Sequence, residues 1–84
     1  MNVKYTVQNT DNKRILSCIL DSEKDIETQL EEVFHIARGH GVGVFVRESE
    51  IEITDYYHAS AMASFDILSR EETNEPVDLK WTEV

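Results

Sequence analysis

The stretch Asp21-Ser22-Glu23-Lys24-Asp25-Ile26-Glu27-Thr28-Gln29-Leu30-Glu31-Glu32-Val33-Phe34-His35-Ile36-Ala37-Arg38-Gly39-His40-Gly41 decides the fold. Ile26, Leu30, Val33, Phe34 and Ala37 follow in steps of four, three, one and three, the spacing of one apolar stripe on an amphipathic helix over 26–37. Asp21 and Ser22 are the N-cap candidates, and Ser22 with Asp25 three residues on resembles a capping box with a shortened acid. Glu23 and Asp25 suit the positive end of the helix dipole, and Arg38 suits the negative end. Gly39 and Gly41 then stop the helix.

Strand patterns lie on both sides of it. Val3, Tyr5 and Val7 alternate with Lys4, Thr6 and Gln8, and 15–20 forms a second apolar run. Asn9-Thr10-Asp11-Asn12 supplies turn chemistry between them, so the two runs read as a hairpin. After the helix, Val42, Val44 and Val46 share one face of a strand with Phe45 on the other. Ile51 and Ile53 alternate with Glu50, Glu52 and Thr54, and Glu48-Ser49 links the pair. A second helix is expected over 55–71, capped by Thr54 or Asp55, with Ala61, Met62, Phe65 and Leu68 as its stripe. A polar break follows at 71–76. Val77, Leu79 and Trp81 then alternate with polar residues, so 76–84 reads as an edge strand or a flexible tail.

The expected class is α+β, one domain over 1–84 in the order ββαββ(α)(β): an antiparallel sheet with one main amphipathic helix packed on one face. The expected core is Val7, Leu16, Cys18, Leu20, Ile26, Leu30, Val33, Phe34, Ala37, Val44, Val46, Ile53, Phe65 and Leu68.

Composition narrows the function. Seventeen acids face eight bases in 84 residues, a formal net charge of -9. Such a chain repels nucleic acid and anionic lipid, which argues against direct binding to either. A lone cysteine, Cys18, excludes a disulfide scaffold. No apolar run reaches signal-peptide or membrane-spanning length, and the expected compartment is the cytoplasm.

No motif carries catalysis, metal or cofactor chemistry. Gly39-His40-Gly41-Val42-Gly43 resembles a phosphate loop in composition but follows a helix, whereas phosphate loops precede one. His35 and His40 are five apart, not the i,i+4 of a helical ligand pair, and His58 stands alone. Cys18 shares a strand face with Leu16 and Leu20, which reads as a core thiol rather than a nucleophile. Glu50 and Glu52 lack the apolar pocket that tunes a catalytic carboxyl. The expectation is therefore no enzyme, no metal and no cofactor.

What remains is surface. Glu48, Glu50, Glu52 and Asp55 follow the second half's strand, and Glu27, Glu31 and Glu32 line the helix. Alternate strand carboxylates repeat at about 6.6–6.8 Å, comparable to successive phosphates through space. Two such rows suit a basic groove; the plainer reading is a solvated edge whose charges discourage aggregation. Tyr56, Tyr57 and Trp81 are candidate interface anchors. In composition and element order the chain resembles the small, acidic, cysteine-poor proteins with which phages and mobile elements inhibit host enzymes. That resemblance implies a non-enzymatic inhibitor or regulator of an enzyme with a basic, nucleic-acid-binding surface. The alternative is an assembly module that homodimerises or joins a complex through its C-terminal strand.

Overall fold

The computed structural model describes residues 1–37, 39–58 and 60–84. The α+β class stands. Six strands, β1 (Asn2–Asn9), β2 (Ile15–Asp21), β3 (Val42–Val46), β4 (Glu50–Asp55), β5 (Ser60–Thr73) and β6 (Asp78–Glu83), form one antiparallel sheet in the order β3-β4-β5-β1-β2-β6. One helix, α1 (Ile26–Val33), follows the first hairpin.

The expected second helix is a strand. Residues 60–73 run down the middle of the sheet between β1 and β4. Its apolar residues follow a helical spacing because β5 is bulged twice. Ile53 pairs with Ala63 and Thr54 with Ala61, so Met62 is an extra residue. Thr6 pairs with Ser69 and Val7 with Ile67, so Leu68 is another. Each bulge breaks the two-residue alternation. Met62 and Leu68 are pushed out to 58% and 49% exposure, while Phe65 between them is buried. The spacing 62, 65, 68 imitates a helical stripe and belongs to a kinked strand. Leu68 therefore leaves the expected core.

The tail also resolves. β6 pairs with β2 as an edge strand, and Arg14 Nε meets Glu83 Oε1 at 2.5 Å across the end of the sheet. Leu79 and Trp81 pack on the core.

The main helix is shorter than its stripe. Asp25, not Asp21 or Ser22, is the N-cap: its Oδ2 accepts from the Thr28 N–H at 2.8 Å. Asp21 and Ser22 serve elsewhere, Asp21 Oδ1 accepting from the Glu23 N–H and Ser22 Oγ bonding the Met1 carbonyl. At the other end the His35 N–H donates to Glu32 O at 3.1 Å and the Ile36 N–H to Glu31 O at 2.8 Å. That is a Schellman cap, with His35 at φ 58 in the position glycine usually holds. Val33, Phe34, His35 and Ile36 are all poor helix formers, which favours stopping there rather than at Gly39. Ala37 lies past the cap and is exposed, so it too leaves the expected core; Arg38, expected in the last turn, lies outside the described residues. Because an L-residue strains in this conformation and glycine does not, His35→Gly should stabilise the protein by about 0.5–1 kcal/mol in denaturant melts.

The core lies between α1 and one face of the sheet. Val7, Leu20, Leu30 and Ile51 are fully buried, with Tyr5, Cys18, Val33, Val44, Ile53 and Phe65 around them. Tyr5 and Ile51 were not among the expected positions; Leu16, Ile26, Phe34 and Val46 are half-buried at the core's margin. Flat, the sheet's edges would stand about 24 Å apart, while eight helical residues span about 12 Å. Yet α1 touches β2, β6 and β3, so the sheet curls around it. Phe34, just past α1, bridges the curl: its ring lies 5.2 Å from both the Phe65 and Trp81 rings. Buried Gln29 fixes the helix end, accepting from the Asp21 N–H at 2.7 Å and donating to the Asp21 carbonyl at 2.8 Å.

Cys18 is a core thiol. Burial first, and the nearby Asp78 charge second, push it up to about 12. A raised thiol favours folding while neutral, so this stabilisation is complete below the unfolded thiol's ordinary value of about 8.5 and is lost as pH climbs towards 12. Stability measured from pH 8 to 11 should fall, and Cys18→Ala should flatten that decline.

Candidate functional site

β3 carries the site. Gly41 O accepts from the Tyr56 N–H at 2.7 Å and Glu50 O from the Arg47 N–H at 2.8 Å, so odd-numbered residues bond β4. Val42, Val44 and Val46 turn their side chains to the core, and Gly43 and Phe45 face the other way. The Tyr56 ring occupies the space a side chain at 43 would need: a Cβ there would come within 2.8 Å of its ring carbons. The Tyr57 ring fills the corresponding space at Gly41, whose φ of +76 itself favours glycine. Phe45 meets Tyr56 edge-on at 5.8 Å. Three rings, Tyr57, Tyr56 and Phe45, thus follow one another along positions 41, 43 and 45.

The row is held but not covered. Asp55 Oδ1 accepts from the Tyr57 N–H at 2.9 Å and its Oδ2 meets His58 Nδ1 at 2.7 Å, bracing the turn that presents the tyrosines. The His58 hydrogen bond above all, then the two backbone N–H groups, hold the Asp55 carboxyl below its ordinary value. Tyr56 and Tyr57 nevertheless remain 58% and 79% exposed.

Carboxylates border the row on both sides. On the sheet side, Glu52 pairs across from Phe45, and Glu50 pairs directly across from Asp66. Like charges placed opposite each other cost stability. Arg47 offsets part of the charge, reaching Glu50 at 3.5 Å and Glu52 at 2.9 Å. These pairs are solvent-exposed and weak. On the edge side, Asp25, Glu27 and Glu31 line a cleft of about 330 Å³ whose other wall includes Phe45 and Tyr56. Glu27 Oε2 accepts from the Val46 N–H at 2.9 Å, blunting the edge of β3.

The structure therefore gathers Glu27, Glu31, Glu50, Glu52, Asp55, Tyr56 and Tyr57 around one aromatic row. Glu48 stands apart in the β3–β4 turn, and Glu32 is exposed on α1 outside the cleft lining. Trp81 is on the far side, edge-on to Phe34 and stacked with Phe65. Its Nε1 is a buried donor without a partner among the described residues. Phe45, Asp66 and Asp25 belong to the site and were not foreseen. The pattern Gly41-x-Gly43-x-Phe45 was the available signal, since two glycines spaced by two on a strand leave seats for neighbouring rings.

Arg70 positions this region from below. It donates to the Glu48 carbonyl at 2.8 Å, the Arg47 carbonyl at 2.9 Å and the Tyr5 hydroxyl at 3.2 Å, and it sits 5.3 Å over the Tyr5 ring. Arg70→Met should cost about 1–2 kcal/mol and speed amide exchange at residues 47–50, read by hydrogen-exchange NMR.

Of the histidines, His35 and His40 line a separate apolar groove of about 400 Å³ with Phe34, Ile36, Val42, Ile53 and Met62. Among the described residues no three His, Cys, Asp or Glu side chains gather as metal ligands would, and no helix is long and apolar enough to cross a membrane. Comparisons with protein-family models, curated proteins and solved structures find no match to this chain.

Proposed function

We propose that this is a non-enzymatic binding protein that acts in the cytoplasm, inhibiting or regulating an enzyme by occupying its basic, nucleic-acid-binding surface. One observation carries the reading: acids from the helix and from the sheet converge on a single exposed aromatic row. Aromatic rings inside a charged rim are the anatomy of a protein-binding patch. The paired like charges at Glu50 and Asp66 add support, because a surface kept only for solubility gains little from facing them. The resemblance to phage and mobile-element inhibitors agrees in composition.

An assembly module built on the C-terminal strand has less support, since Leu79 and Trp81 complete this chain's own core. The test is affinity capture from a lysate at about 0.1 M salt. Nucleic-acid enzymes bound by the wild type and not by Glu50→Lys/Glu52→Lys support the proposal. Equal capture by both removes this surface from it.

A further inference from the structure

The aromatic row says more about the partner than that it is basic. A cation can be met by carboxylates alone; no ring is needed for that. Here two tyrosines are kept largely exposed, and two positions of the approach to and body of β3 are glycine where their rings lie. The rings are pre-ordered by the Asp55-braced turn and by the edge contact with Phe45. Ordered exposed rings beside carboxylates suit a planar cation that stacks and donates hydrogen bonds sideways. The guanidinium does both; the ammonium is a compact, strongly hydrated point charge that prefers to keep its water.

We infer that the surface reads arginine rather than lysine: it docks an arginine-bearing segment of a protein partner, with guanidinium groups stacked on Tyr56 and Tyr57. Their N–H groups reach Glu52 on the sheet side and Glu27 across the cleft. The roughly two-residue repeat of positions 41, 43 and 45 suits an extended segment with arginine at alternate positions. This rests on the proposed binding role and narrows it to one side-chain chemistry.

The test uses two ten-residue peptides of equal charge, one alternating arginine with glycine and the other lysine with glycine, titrated into the full chain by NMR at about 0.1 M salt. The arginine peptide should bind about fivefold more tightly, with its largest shifts at the amides of Gly41, Gly43, Tyr56 and Tyr57. In Tyr56→Leu/Tyr57→Leu the two peptides should bind alike. Tyr57→Leu alone, at the more exposed position, should shrink the preference even if the double variant is unstable. Equal affinities in the wild type, with binding lost in Glu50→Lys/Glu52→Lys, overturn the arginine reading and leave the basic-partner reading standing. A preference unchanged by either leucine variant also overturns it. Failure of both peptides to bind overturns both readings.

Discussion

Phe34→Ala should lower the free energy of unfolding by about 3–5 kcal/mol. Phe34 is not the most buried side chain, yet its ring is the only described one packed against both β5 and β6 through Phe65 and Trp81. Truncation to Ala removes both ring contacts at the end of α1. A chain of this size holds about 4–13 kcal/mol in total, so the loss is a large share of it and the variant should melt at clearly lower denaturant. Denaturant melts of the wild type and the variant measure the difference. A loss below about 1 kcal/mol would mean that Phe34 does not close the core.

Glu50→Lys/Glu52→Lys should weaken partner binding by about 10–100-fold at 0.1 M salt while changing stability little. The two residues stand on the face of β4 away from the core, Glu52 across from Phe45 in the aromatic row and Glu50 across from Asp66. Reversal exchanges their attraction for a basic partner for repulsion, and leaves Arg47 among like charges. The effect should shrink as salt rises, because the screening length falls from about 10 Å at 0.1 M to about 3 Å at 1 M. A variant that melts like the wild type and binds like it would remove these residues from the interface.

The first hairpin, the helix stripe and the β3–β4 hairpin were legible because each follows one clean period. Val3, Tyr5 and Val7 alternate without interruption, and Ile26, Leu30 and Val33 keep helical spacing. β5 was not legible. A reader of periods sees Met62, Phe65 and Leu68 three apart; only the partner strands reveal that two of the three are bulged residues. Long-range pairing of this kind overrides local pattern. The helix end failed for a related reason: Gly39 and Gly41 advertise a stop, but the Schellman cap at His35 comes first. Those glycines are used differently, Gly41 as the seat of Tyr57 and Gly39 as part of the cleft lining.

The candidate site was half visible. Its acids and tyrosines stood out by type, but nothing local joins Glu27 on α1 to Glu52 on β4. The curl of the sheet brings helix and edge strand together, and it is a property of the whole core. Trp81 shows the converse: a residue type enriched in interfaces, here spent on packing.

The most direct test of the binding proposal is competition. The protein, immobilised at about 0.1 M salt in nuclease-treated lysate, should capture proteins that are then released by added duplex DNA as well as by 0.5 M salt, because DNA and this acidic surface would claim the same basic groove. Captured proteins that stay bound through added DNA, or a chain that recovers only itself at dimeric mass, would contradict it.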